Sequence, residues 1–241
     1  SARSRVGMVL TVEPDRSVFV QGANDKSDVY SIESETKREN ITSVRLQVLA
    51  DSRLPARGPG LPSNGNFVLT GLRVFVAPAK NPAQREEIRV VSARADFSQA
   101  GRNIQSVLGN NRGDGWAVHP HTGRGHVAIF DLERSVGFPS GTRITIQMEH
   151  FCHKDHNLGK FRLGITSAPA PVALGPPDAA ILEIIEKSRG HRTDEEQFRL
   201  LSYYKYADPA LEPLFKQVAA LTASKPQDPG EETMAQVIQE A

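Results

Sequence analysis

The chain has 241 residues, of which 39% are hydrophobic and 24% are charged, a composition typical of a globular protein. Its 29 Lys and Arg nearly balance 28 Asp and Glu, so the net charge of +1 gives no general electrostatic case for nucleic-acid binding. No run of residues approaches the roughly 18 to 20 apolar positions of a membrane helix, and we expect neither a membrane span nor a signal peptide in this sequence. Cys152 is the single cysteine, which excludes an intrachain disulfide.

Residues 1–170 have the period-2 hydrophobic alternation of half-buried antiparallel strands. In residues 43–49 the apolar Val44, Leu46 and Val48 alternate with polar side chains, and residues 142–148 follow the same pattern. Further strands are predicted, in chain order, at 8–12, 17–21, 29–34, 67–77, 88–97, 127–132 and 160–166. Nine strands without long intervening helices predict a mainly β fold, an antiparallel β-sandwich.

A proline-rich joint follows the strands, at residues 168–171 and 175–177. Charge changes at the same place: residues 1–174 carry 22 basic and 16 acidic side chains, a net of +6, and residues 175–241 carry 7 and 12, a net of −5. We therefore predict two parts, a sandwich binding module at 1–170 and a helical connector at 171–241.

The connector has helical periodicity. Thr193 with Glu196 is a capping box that predicts a helix over 193–206, and Asp208 before Pro209 predicts the start of the next. That second helix has one apolar stripe, formed by Leu211, Leu214, Phe215, Val218 and Leu221. The prediction is a C-terminal α-helical hairpin, with residues 227–241 loosely ordered.

Five short stretches carry a family resemblance: LPARGPG at 54–60, NGNFVLT at 64–70, ADFSQ at 95–99, GWAV at 115–118 and GKFRL at 159–163. They resemble the middle region of planctomycete-type surface proteins, in which a cytochrome-c-like segment and two domains of unknown function flank a β-sandwich. The resemblance implies a periplasmic or cell-surface location and other domains of the same parent chain as partners.

The sandwich also resembles the galactose-binding or discoidin-like jelly roll, which implies a carbohydrate-binding module. In that family an Asp and a Thr in the loop before a Gly-Trp pair accompany a structural calcium, but here Gly109 and Asp114 stand at those places. One carboxylate with amide and main-chain oxygens is a thin ligand set for Ca²⁺. We therefore predict a hydrogen-bonded turn, with a structural calcium as the alternative, and no other cofactor.

Catalytic and metal chemistry find little support in the sequence. Residues 150–156 hold His150, Cys152, His153, Asp155 and His156, but neither strand nor helix spacing makes the three imidazoles converge as zinc requires. A solvated hairpin loop is the preferred interpretation of this cluster, and Cys152 has no identifiable catalytic partner. Because no nucleophile elbow, phosphate loop or metal-binding helix motif is present, we predict a protein that is not an enzyme and holds no metal.

Two loops rich in glycine carry the predicted ligand-binding residues. One holds Trp116, His119, His121 and Arg124, and the other holds Arg57, Asn64 and Asn66. An aromatic face and planar donors suit a sugar ring and its hydroxyls. The alternatives are that Trp116 packs in the core and that glycine and asparagine serve unusual backbone conformations.

The basic surplus of the sandwich favours an anionic ligand. We therefore predict a non-catalytic carbohydrate-binding module for a sulfated or uronate-rich polysaccharide, with Arg57 and Arg124 as donors. The alternative is a structural or docking domain that braces neighbouring cytochrome-like and unknown domains.

Overall fold

The computed structural model describes residues 1–109, 112–172, 174, 179–197 and 200–201. Within these residues the chain is mainly β, with eleven strands in two antiparallel sheets. The strands are β1 (Ala2–Ser4), β2 (Val9–Val12), β3 (Val18–Gln21), β4 (Asp28–Thr36), β5 (Ile41–Val48), β6 (Gly71–Pro78), β7 (Glu86–Ile88), β8 (Val90–Ala95), β9 (His126–Val136), β10 (Thr142–His150) and β11 (Lys160–Thr166). Short 3₁₀ turns lie at Pro55–Arg57, Ile104–Leu108 and Arg189–His191.

The two sheets have the strand orders β1-β4-β10-β6-β7 and β2-β3-β11-β5-β9-β8. The first sheet is centred on β10, whose His150 lies opposite Asp28 of β4 and whose Glu149 lies opposite Gly71 of β6. The second is centred on β5 and β11, and Val48 pairs with His126 on one side and Phe161 on the other. Consecutive strands lie in different sheets except for the hairpin pairs β2–β3, β6–β7 and β8–β9, so the chain crosses repeatedly from one layer to the other.

One hydrophobic core lies between the sheets, as the alternation predicts. Val44, Leu46 and Val48 of β5 are fully buried, and Ile144, Ile146 and Met148 of β10 face them from the other sheet. The largest buried side chains of this core are Trp116, Tyr30, Phe67, Phe130 and Phe161. The predicted mainly β architecture with antiparallel sheets is therefore confirmed.

The strand boundaries differ from the predicted ones at three places. The strand predicted at 88–97 is two strands, because the chain turns at Arg89 from the sheet of β7 into the sheet of β8. The strand predicted at 67–77 begins regular pairing only at Gly71, since Leu69 bridges to Trp116 instead. The edge strand β1 was not predicted, because three residues are too few to show an alternation.

The described part of the connector contains the helix α1 (Ala179–Glu186). Ile181 and Ile184 of this helix form a small apolar cluster of their own with Leu200. The predicted capping box is confirmed: Thr193 N donates to Glu196 Oε2 over 3.0 Å, and Glu196 N donates to Thr193 Oγ1 over 3.2 Å. The stripe from Leu211 to Leu221 lies outside the described residues, as does most of the predicted hairpin. In the described part, no helix has the length and apolar character to cross a membrane.

Candidate functional site

The long connections of the sandwich all lie at one end, which we call the long-loop end. It is formed by residues 22–27, 49–70, 96–125 and 151–159, because β3, β5, β8 and β10 end there and β4, β6, β9 and β11 begin there. The connections at the opposite end, at residues 37–40, 79–85 and 137–141, are shorter than the connections 49–70, 96–125 and 151–159. Because binding residues concentrate on long loops held by a rigid β scaffold, this end is the candidate functional site.

Both predicted binding loops meet at this end. Gly123 N donates to Gly58 O over 2.5 Å, and the loop 151–159 joins them because Gly159 N donates to Pro59 O over 2.8 Å. Ala56, Arg57 and Gly58 have φ of 45°, 63° and 68°, so three successive residues occupy the left-handed region. A strained backbone of this kind persists only where surrounding contacts hold it in place. Arg57 is exposed here, beside the contact with Gly123.

Two side-chain amides join the loops beneath the surface. Asn66 Oδ1 accepts from Val118 N over 3.1 Å, and Asn66 Nδ2 donates to Gln99 Oε1 over 3.0 Å. The same Gln99 oxygen accepts from His119 N over 3.2 Å. Asn66 is 5% exposed, so its observed role is to position the loop before His119, which corrects its predicted role as a ligand contact.

Trp116 is fully buried and cannot stack on a sugar ring. Its Nε1 donates to Phe97 O over 2.8 Å, and its ring meets Phe67 edge-on with centroids 5.1 Å apart. Its main chain exchanges two hydrogen bonds of 2.9 Å with Leu69. The alternative of core packing is therefore correct for Trp116, and its predicted role as a stacking platform is wrong.

The remaining predicted residues lie at the surface of the long-loop end. Arg57, Asn64 and His119 are exposed, and His121 and Arg124 are half-buried. Asn64 Oδ1 accepts a hydrogen bond from Asn66 N over 3.0 Å and so stabilises a local turn. This backbone role is the alternative predicted from the sequence for asparagine in this loop. His121 packs edge-on against Phe97, with ring centroids 4.4 Å apart.

Arg57 and Arg124 flank the contact between Gly58 and Gly123. In the described part of the chain neither guanidinium forms an ion pair, and Arg124 Nε is buried without a hydrogen-bond partner. The neighbouring cations differ: Arg53 lies 2.6 Å from Asp51 and 2.7 Å from Glu13, and Lys160 lies 2.8 Å from Asp51. Arg53 first, and Lys160 after it, hold the pKa of Asp51 well below its usual range. Among the described residues, Arg57 and Arg124 thus have no carboxylate partner and keep guanidinium donors for an anion.

Sequence reasoning missed the groups that support this surface. His126 lies under the loop, with Nε2 2.9 Å from His121 O and Nδ1 3.2 Å from Asp96 Oδ2. Asp96 Oδ1 also accepts from Val127 N over 3.0 Å. The only sequence signal for Asp96 and Gln99 was their place in the stretch 95–99, because their partners are 20 to 33 residues away along the chain.

The histidine cluster at 150–156 is divided, because the rings of His153 and His156 lie with centroids 5.0 Å apart whereas His150 contacts Tyr30 instead. His150 is fully buried beside Tyr30, with ring centroids 4.7 Å apart, while His153 is exposed and His156 is half-buried next to Asp155. Cys152 is buried, and Arg102 Nη1 donates to its sulfur over 3.2 Å. Among the residues described, no three His, Cys, Asp or Glu side chains are grouped closely enough to hold a metal ion.

Burial lowers the pKa of His150 from 6.5 to about 3, although Nδ1 lies 3.3 Å from Asp28 O. In the unfolded chain the His150 imidazole is protonated below about pH 6.5, whereas in the folded protein it is protonated only below about pH 3. Protonation therefore favours the unfolded state, and the free energy of unfolding falls as the pH drops from 6.5 to 3. Since one proton changes the free energy by at most about 1.4 kcal/mol per pH unit, we expect wild type to lose about 3 kcal/mol more than His150→Phe between pH 7 and 4.

Urea unfolding of both proteins at several pH values measures this difference. His119→Phe is the control, because it makes the same replacement at an exposed position. Parallel pH dependences for wild type and His150→Phe would contradict the prediction.

Comparison of the chain with protein-family models, with curated proteins and with solved structures finds no match. The resemblances to planctomycete-type surface proteins and to galactose-binding modules stay predictions. What the structure itself contributes is a surface where two loops meet and where two arginines have no ion-pair partner among the described residues.

Proposed function

We propose that the long-loop end binds an anionic polysaccharide, sulfated or uronate-rich, without catalysing a reaction on it. The observation that carries this proposal is the pair Arg57 and Arg124, which flanks the contact of Gly58 with Gly123 and has no ion-pair partner in the described residues. A guanidinium offers several fixed N–H donors that match carboxylate or sulfate oxygens. The arrangement therefore suits a ligand that brings its own negative charge.

The polymer's charge, rather than ring stacking, is the basis of recognition. Trp116 and Tyr30, which could combine a stacking face with a hydrogen bond, are both fully buried. His119 and Asn64 are exposed in the same two loops as the arginines and can exchange hydrogen bonds with sugar hydroxyls. The net charge of +6 in residues 1–174 adds a general attraction for polyanions.

A binding module explains the chemistry of this end better than an enzyme does. His126 and Asp96 form one close acid–base pair in the described part of this end, and this pair lies beneath the surface and contacts the loop main chain. A second close pair is formed by Asp155 and the half-buried His156, which are neighbours in the sequence. The contacts of His126 and Asp96 keep the loop in place rather than presenting a base to a substrate. The two-sheet sandwich with long loops at one end supports the jelly-roll, galactose-binding type as part of this proposal.

Calorimetric titration with sulfated dextran and unmodified dextran of equal length tests the proposal. We expect binding of the sulfated polymer only, and a loss of at least about tenfold in affinity for Arg57→Ala/Arg124→Ala, since a hydrogen bond to a charged group contributes about 1.5 kcal/mol. Affinity should also fall as added salt shortens the Debye length from about 10 Å to about 3 Å.

The matched control is Lys80→Ala/Arg85→Ala, which removes the same charge from exposed residues at the opposite end of the sandwich. We expect this variant to bind like wild type. Equal affinity for both dextrans, unaffected by salt and by Arg57→Ala/Arg124→Ala, would overturn the proposal and leave the structural or docking domain as the better hypothesis.

A further inference from the structure

A second cationic group lies at the long-loop end, on the side of the first sheet. Phe151 follows β10 directly, and two arginines lie over its ring: Arg112 Cζ is 4.4 Å and Arg5 Cζ is 5.3 Å from the ring centroid. Both arginines are exposed, and neither forms an ion pair in the described part of the chain. Each guanidinium group is attracted to the ring, while the two like charges repel each other, and an anion that contacts both would offset this repulsion.

The carboxylates nearest in the chain to these arginines are already engaged. Asp28 is fully buried and accepts from Ser4 Oγ and from the main-chain N–H of Arg5 and Val6. Asp114 accepts from Ser106 Oγ over 2.7 Å and from Gly115 N over 2.7 Å. These bonds satisfy the two carboxylates, and the Arg5 and Arg112 side chains keep their N–H donors.

Arg112 also lines a groove of about 840 Å³ at the edge of the first sheet. The other charges of this groove are mostly balanced within it, because Arg73 pairs with Glu87 over 2.5 Å and Arg89 pairs with Glu133 over 3.2 Å. Glu149 is a further carboxylate of the lining, near Arg73. With Arg112 counted, the groove lining holds three basic and three acidic side chains, so Arg5 is the additional cation on this side of the long-loop end.

Main-chain hydrogen bonds anchor the loop between the two cationic groups. Arg112 and Arg124 belong to one loop, 96–125, and between them Trp116 is locked to Leu69 by two hydrogen bonds. The contact of Gly123 with Gly58 then fixes Arg124 beside Arg57. A flexible polymer with repeated charges could bind both groups without the protein having to order itself first.

We infer that Arg5, Phe151 and Arg112 form a second anion subsite, which takes another sulfate or carboxylate of the polymer chain bound at Arg57 and Arg124. This inference rests on the proposed function. It adds that recognition is two-point, so affinity depends on polymer length: binding at one subsite raises the effective concentration of the chain at the other.

Titration with sulfated dextran oligomers of increasing length tests the inference. For wild type we expect affinity to rise by about tenfold or more once the oligomer is long enough to reach both subsites. Arg5→Ala/Arg112→Ala should bind short oligomers like wild type but lose this rise. Phe151→Leu keeps both charges without the ring and should lose part of the rise, whereas Lys80→Ala/Arg85→Ala should keep it, although Arg85 lies 3.8 Å over the ring of Phe75.

The outcomes separate the two proposals. If Arg5→Ala/Arg112→Ala keeps the full length dependence while Arg57→Ala/Arg124→Ala loses binding, the second subsite is wrong and the proposed function stands. If wild type binds no sulfated oligomer of any length, both are wrong. Thermal unfolding of each variant confirms that a loss of binding does not come from a loss of fold.

Discussion

We expect the Gly60→Ala protein to fail to fold or to lose more than about 4 kcal/mol of stability. Single substitutions cause losses of this size only through a specific structural cause, such as overpacking of the interior. A Cβ at Gly60 would lie 1.7 Å from Asn66 O, 2.3 Å from Asn66 C and 2.9 Å from Phe67 N. All three atoms are main chain, so no rotamer change relieves the clash. Gly60 N also donates to Gly65 O over 2.9 Å, which keeps the two segments together.

Urea unfolding followed by the fluorescence of Trp116, the single tryptophan, measures this loss because the indole is fully buried. Gly164→Ala is the control: the nearest atom to its Cβ would be Arg45 Cβ at 4.0 Å, an ordinary contact. That variant should stay within about 1 kcal/mol of wild type, since alanine is better than glycine in a strand. A Gly60→Ala protein as stable as Gly164→Ala would show that residues 60 and 66 do not approach in this way.

Removing Asp131 should destabilise the sandwich by about 3 to 5 kcal/mol, because it leaves a buried charge without its counterion. Asp131 Oδ2 lies 2.7 Å from Arg94 Nη2, and Oδ1 accepts from Ser43 Oγ over 2.8 Å. The side chains of Arg94 and Asp131 are only 10% and 6% exposed, and Arg94 Nε already lacks a partner. Asp131→Ala therefore leaves the buried guanidinium group of Arg94 without a counterion and with little access to water.

Chemical unfolding of Asp131→Ala and Glu87→Ala compares a buried with an exposed ion pair. Arg73 and Glu87 are 48% and 45% exposed, so breaking their pair should change stability by less than about 1 kcal/mol. Replacing both buried partners, as Arg94→Met/Asp131→Leu, should recover most of the stability lost in Asp131→Ala. Equal losses in the two single variants would contradict the proposed cost of the unpaired Arg94.

The positions of the strands could be predicted from the sequence because strand alternation is a local property. Each apolar residue of β5 and β10 that faces the core is two positions from the next, and this spacing is visible without knowing the partner strand. The capping box of Thr193 and Glu196 was predictable for the same reason, since its two hydrogen bonds span three residues. The turn at Arg89 was not, because the same apolar pattern continues while the chain changes sheets.

The candidate site was predictable only in part. Glycine, arginine and asparagine identified the two loops, and the surplus of basic residues indicated an anionic ligand. The two loops come together through hydrogen bonds between residues far apart in the sequence, such as Gly58 with Gly123 and Asn66 with Gln99. A single tryptophan in a glycine-rich loop has the same local sequence whether it packs inward or outward, so only the core around Phe67 decided the burial of Trp116.

The sequence by itself thus determined the mainly β architecture, the loops that carry the arginines and the basic character of residues 1–174. Only the tertiary structure decided which arginines keep free donors, because pairing depends on which carboxylates the fold brings near. Arg53 and Arg94 acquire Asp51 and Asp131 as partners, whereas Arg57 and Arg124 acquire none in the described part of the chain. These distances are set when the two sheets pack around one core, so the local sequence does not determine them.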